Sequence, residues 1–105
     1  MDIKFQNYGQ ERERIATESE LEIYNILKTF PGCSQIELIR KSNNYVSAVL
    51  DDWDLARFKY TPNAKWINFP VLEKSSDKHY IESPSEVSAF GDLINKSIEH
   101  IEKYQ

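Results

Sequence analysis

A single cysteine, Cys33, in 105 residues excludes an intramolecular disulfide, and with only two histidines beside it the chain falls short of a structural zinc site's four ligands. The three glycines, Gly9, Gly32 and Gly91, stand far apart, so no glycine-rich loop can cradle a phosphate. No stretch approaches the roughly 20 consecutive apolar residues that a membrane-spanning helix needs. The opening residues, MDIKFQNYGQERER, contain no apolar signal core, so a cytoplasmic address is expected. A nucleophile elbow, an HExxH helix and paired cysteines are also missing, and no enzymatic activity, cofactor or metal centre is expected.

With 40% hydrophobic and 29% charged residues, the composition is that of an ordinary globular chain, and the length suits one domain over residues 1–105. The net charge of -4 opposes the general attraction to phosphate on which most nucleic-acid binders rely. The sign changes along the chain: residues 31–65 carry a slight basic excess between two acidic ends.

Residues 1–10 read as a short strand or a flexible N-terminal segment, with Ile3 to Tyr8 roughly alternating in polarity. From Glu11 to Phe30 the spacing is helical, with Ile15, Ser19, Ile23, Ile26, Leu27 and Phe30 on one face. Thr17 and Glu20 have the spacing of a capping box, which offers a later start, and Pro31-Gly32 ends the helix. Two hairpins follow: Gln35 to Arg40 with Tyr45 to Leu50 around Ser42-Asn43-Asn44, and Leu55 to Tyr60 with Lys65 to Phe69 around Thr61-Pro62-Asn63-Ala64. A short strand is expected over Lys78 to Ile81. Ser83, Pro84 and Glu86 then form a helix-start signature, and Val87, Phe90, Ile94, Ile98 and Ile101, widened by Leu93, make a buried stripe. The sum is an α+β two-layer sandwich: a helix, a four- or five-stranded antiparallel meander, and a C-terminal helix.

Each candidate site has a plainer explanation. Asp51, Asp52 and Asp54 could offer oxygen to a cation, but the glycine and bidentate glutamate of a calcium loop do not follow, and an acidic turn accounts for them. Cys33 lacks a nearby base and reads as a small buried residue. His79 and His100 read as structural and boundary residues. Strand alternation puts Arg57 and Lys59 on the face away from Phe58, with Trp66 on the partner strand. Together with Lys65 they suggest a basic, aromatic surface for single-stranded nucleic acid, against which stands an ordinary solvated face.

The stretches Tyr45 to Leu50, Asp54 to Pro70 (DLARFKYTPNAKWINFP) and Tyr80 to His100 (YIESPSEVSAFGDLINKSIEH) resemble small α+β domains of bacteria and their mobile elements. Over about residues 18–102 the pattern is similar to the C-terminal domain of predicted transport proteins. That resemblance implies a helix, a curved antiparallel sheet and a final helix opened by a serine-rich cap, and it brings no catalytic residues. The leading expectation is a non-enzymatic protein-binding module, of the kind with which a bacteriophage or mobile element inhibits a host nuclease or defence factor. It would dock through Trp53, Asp51, Asp52, Asp54 and Trp66, with acidic groups standing where phosphates would lie. The alternative is a nucleic-acid-binding module using Arg57, Lys59, Lys65 and Trp66.

Overall fold

The structure, a computed structural model, describes residues 4–5, 17–40, 45–74 and 76–103. Along the chain these form β1 (Lys4–Phe5), α1 (Glu18–Lys28), β2 (Glu37–Arg40), β3 (Val46–Leu50), β4 (Trp53–Thr61), β5 (Ala64–Asn68), β6 (His79–Tyr80), a 3-10 helix (Pro84–Phe90) and α2 (Gly91–Lys103). Spatial order follows chain order. β2 to β6 make the antiparallel meander, and β1 joins parallel to β2, so that β1, α1 and β2 form a crossover unit. The α+β architecture is the expected one, with five antiparallel strands and the short parallel β1 at the β2 edge.

α1 begins at the later of the two expected starts. Thr17 is the N-cap: its hydroxyl accepts the Glu20 N–H at 3.1 Å, while the Glu20 carboxylate accepts the Thr17 N–H at 3.0 Å. The same carboxylate meets Arg40 at the end of β2 at 2.6 Å, and both side chains are buried, so one residue caps the helix and ties it to the sheet. The buried face comprises Glu20, Ile23, Tyr24 and Leu27. Ser19 and Ile26 were expected on that face and are instead only partly buried. The rotation follows from burying the Glu20 to Arg40 pair, and from Tyr24 donating its hydroxyl to the Ile36 carbonyl. Ile15 and the expected turn at Ser42 to Asn44 lie outside the described residues.

The segment expected to link the two hairpins is itself a tight turn. Leu50 pairs with Trp53, and Asp51 and Asp52 both adopt positive φ, 50° and 69°, as a two-residue hairpin turn of matching twist requires. β4 therefore starts at Trp53 rather than Leu55. The register slips at Ala48/Val49, leaving Leu55 as the extra residue of a bulge. Strict alternation puts Leu55 beside Arg57; the bulge instead buries it completely, and its carbonyl accepts the Ser97 hydroxyl of α2 at 2.8 Å.

Phe58, Ile67, Phe69, Leu55, Ile23, Leu27, Ile94 and Ile101 centre the core between one sheet face and the helices. The C-terminal helical segment changes pitch within its length. Pro84, Val87 and Phe90 recur every third residue, which is the period of a 3-10 helix, and from Gly91 onward Ile94, Ser97, Ile98 and Ile101 follow the α-helical period. No helix among the described residues is long and apolar enough to cross a membrane.

Candidate functional site

Strand alternation and the observed register assign every β4 and β5 side chain to a face. Phe58 pairs with Val46 and Ile67, all completely buried against the helices. Lys59 pairs with Trp66, and Trp66 with Tyr80, on the opposite face, which none of the described helices covers. Tyr45, one residue before β3, lies on the same face, its ring near Trp66 and the Arg57 guanidinium. The result is a row of Lys59, Trp66 and Tyr80 across three paired strands, each step about 4.8 Å, with Tyr45 beside it.

Rings in and beside this row interact with cations. Tyr45 and Trp66 have centroids 6.3 Å apart with planes tilted by 36°. The Lys78 ammonium lies over the Trp66 ring, 4.7 Å from its centroid, and the Arg57 guanidinium lies 6.0 Å from the Tyr45 ring. Tyr80 is 77% exposed, the most open of the large hydrophobic side chains among the described residues. Arg57 is held in place by the Asp54 carboxylate at 2.7 Å, which also accepts the Ser47 hydroxyl at 2.6 Å. Its charge is thus locally compensated, whereas among the described residues no ion pair engages Lys59 or Lys78.

The end of the row is fixed by the loop between β5 and β6. Asn68 is buried, and its amide donates to the carbonyls of Lys74 and Asp77 at 2.9 and 2.8 Å. Glu73 accepts the Phe69 N–H at 3.0 Å and faces the His79 Nε2 at 2.9 Å; opposite a carboxylate, that nitrogen carries the proton. His79 also packs against Phe69 and Phe90, with centroids at 5.9 and 5.1 Å. His79 therefore faces the core, and its neighbours Lys78 and Tyr80 are turned to the open face.

The expected residue sets are regrouped by this geometry. Arg57, Lys59 and Trp66 do share one face. Lys65 is on the other, its ammonium 5.2 Å from the Tyr60 ring, because it neighbours Trp66 in a strand and alternation separates them. Trp53 and Trp66 likewise stand on opposite faces: Trp53 pairs with Leu50 on the helix side, where its ring meets the His100 ring edge-on at 6.3 Å. Asp51 and Asp52 shape the turn and Asp54 holds Arg57, so the five residues of the expected docking patch do not form one surface. Among the described residues no group of three or more His, Cys, Asp or Glu side chains is placed to hold a metal ion.

Cys33 is completely buried, and burial, reinforced by the negative charge of Glu102, pushes its thiol up to about 11. A thiol so disposed stays protonated at neutral pH and is a poor nucleophile. Tyr45, Lys78 and Tyr80 were missed by the sequence reading. The signal for Tyr80 and Lys78 was their two-residue spacing about His79 in a strand; for Tyr45 it was its place one residue before Val46. No protein-family model, curated protein or solved structure matches the chain.

Proposed function

We propose that the chain is a binding module whose working surface is the open sheet face, and that its ligand is single-stranded nucleic acid. The observation that supports this reading is the cross-strand row of Lys59, Trp66 and Tyr80, flanked by Tyr45, Arg57 and Lys78. Bases stack on exposed rings whatever their sequence, and lysines beside the rings meet the phosphates between bases.

The chemistry favours modest affinity and little sequence preference. Two lysines give a shallow salt dependence, and the acidic remainder of the chain opposes close approach. The test is a fluorescence-anisotropy titration of labelled oligothymidylate and oligouridylate at low salt. We expect micromolar binding of at least one, weakening as salt rises, and a loss of about tenfold or more in Trp66→Ala, within the range for removing one base–aromatic stack. Absence of wild-type binding to either oligomer, or full retention in a folded Trp66→Ala, would overturn the reading.

A further inference from the structure

The Trp66 ring already has an occupant. The Lys78 ammonium sits 4.7 Å from its centroid, in the place a stacked base would take, and the pairing partner Tyr80 holds the adjoining position across the strands. We infer that Lys78 is an exchangeable cover of the stacking site: it shields Trp66 in the empty protein, leaves the ring when a base arrives, and then pairs with the phosphate next to that base. The inference rests on the nucleic-acid reading of this face and adds a residue role to it.

The exchange is energetically downhill. An exposed cation–π contact contributes about two- to fivefold in an equilibrium constant, whereas a base stacked on an aromatic ring contributes about five- to a hundredfold. Lys78 is also placed to move. It is exposed and lies immediately before the two-residue β6, while His79, held by Glu73 and packed on Phe69 and Phe90, fixes the backbone beside it. The side chain can swing from ring to phosphate while Tyr80 stays in register with Trp66.

The cover and the phosphate contact act in opposite directions on affinity, which makes them separable. A lysine that only attracts phosphate strengthens binding by a factor that shrinks as salt rises and vanishes near about 1 M. Its removal gives a line of shallower slope that meets the wild-type line there. If Lys78 must first leave Trp66, removal also relieves a two- to fivefold penalty. With a slope change of about 0.7 for one single-strand phosphate contact, the two lines then cross between about 0.1 and 0.4 M salt, and above the crossing Lys78→Ala binds more tightly than wild type.

The experiment is an anisotropy titration of labelled oligothymidylate and oligouridylate against wild type, Lys78→Ala and Lys59→Thr over that salt range. Circular dichroism confirms that each variant is folded. Lys59→Thr removes a phosphate contact without touching the Lys78 cover, so its line should approach the wild-type line only near about 1 M. A crossing for Lys78→Ala alone supports the inference. Wild-type binding with Lys78→Ala weaker throughout, or with the two variants behaving alike, overturns the exchange while leaving the face a nucleic-acid platform. No wild-type binding overturns both.

Discussion

Trp53 shows how one residue's surroundings separate two roles that its sequence context left open. An indole in the turn Asp51-Asp52-Trp53-Asp54 could anchor a partner or plug the open end of the sandwich. It is 38% exposed, lies on the helix side of the sheet opposite Leu50, and packs edge-on against His100 of α2. Most of the ring is therefore already committed within the chain. A fully buried tryptophan replaced by alanine costs about 3 to 5 kcal/mol, and with Trp53 38% exposed we expect about 2 kcal/mol for Trp53→Ala, measured by urea denaturation. Nucleic-acid binding should be unchanged, since Trp66 is on the other face. A variant as stable as wild type would return Trp53 to the role of an anchor awaiting its partner. Asp51 and Asp52 were legible as turn residues, because short acidic side chains tolerate positive φ. That they form a two-residue hairpin turn was less so, since the glycine that usually marks such a turn is absent.

At the scale of elements, the amphipathic stripes were the most readable feature and the pitch of the helices the least. Val87, Ile94, Ile98 and Ile101 are buried as their spacing implied. The 3-10 character of Pro84–Phe90 follows from a detail of the same spacing, three residues from Val87 to Phe90 and four onward to Ile94, which an averaged helical period conceals. Its start carries the expected capping box between Ser83 and Glu86, with further bonds around it. The Glu86 carboxylate accepts the N–H groups of Ser83, at 2.7 Å, and Glu82, while the Glu86 N–H bonds the Ser83 carbonyl. The Ser83 hydroxyl meets the Ser85 hydroxyl at 3.0 Å and donates to the Glu86 carboxylate at 3.4 Å. These backbone donors, Ser83 first, hold the Glu86 carboxyl below its usual value against a smaller opposing effect of desolvation. A carboxyl with a folded pKa below its unfolded one stabilises the fold above the unfolded value of 4.5, and the gain is lost as pH falls through the folded pKa. Glu86→Gln should therefore have a lower melting temperature than wild type at neutral pH and converge on it in acid. A constant gap across the acid range would assign the effect to something other than the charge. The bulge at Leu55 lay beyond sequence reading for a related reason: alternation has no means of marking where a register slips, and it is Ser97 of α2, far along the chain, that takes up the Leu55 carbonyl.

Over the whole molecule, charge and surface pull in different directions. The chain carries -4 overall, while its open face presents Lys59 and Lys78, with Arg57 compensated by Asp54. Which of the two an approaching phosphate feels depends on the screening length relative to the size of the protein, whose principal extents are 37 × 28 × 24 Å. At about 0.1 M salt the screening length is about 10 Å, so the lysines of the face act locally and the acidic residues of the far side are screened out. At about 0.01 M it grows to about 30 Å, the whole chain is felt, and its net repulsion offsets the local attraction. A uniformly basic binder gains affinity steadily as salt is withdrawn. This protein should follow a line of slope about -1.4, for two single-strand phosphate contacts, around and above 0.1 M, and flatten below it. The check is the oligonucleotide affinity measured from about 0.01 M upward. If log affinity instead keeps rising along one straight line to the lowest salt, the acidic surface exerts no opposing field, and the attraction has to come from more cations than the face provides.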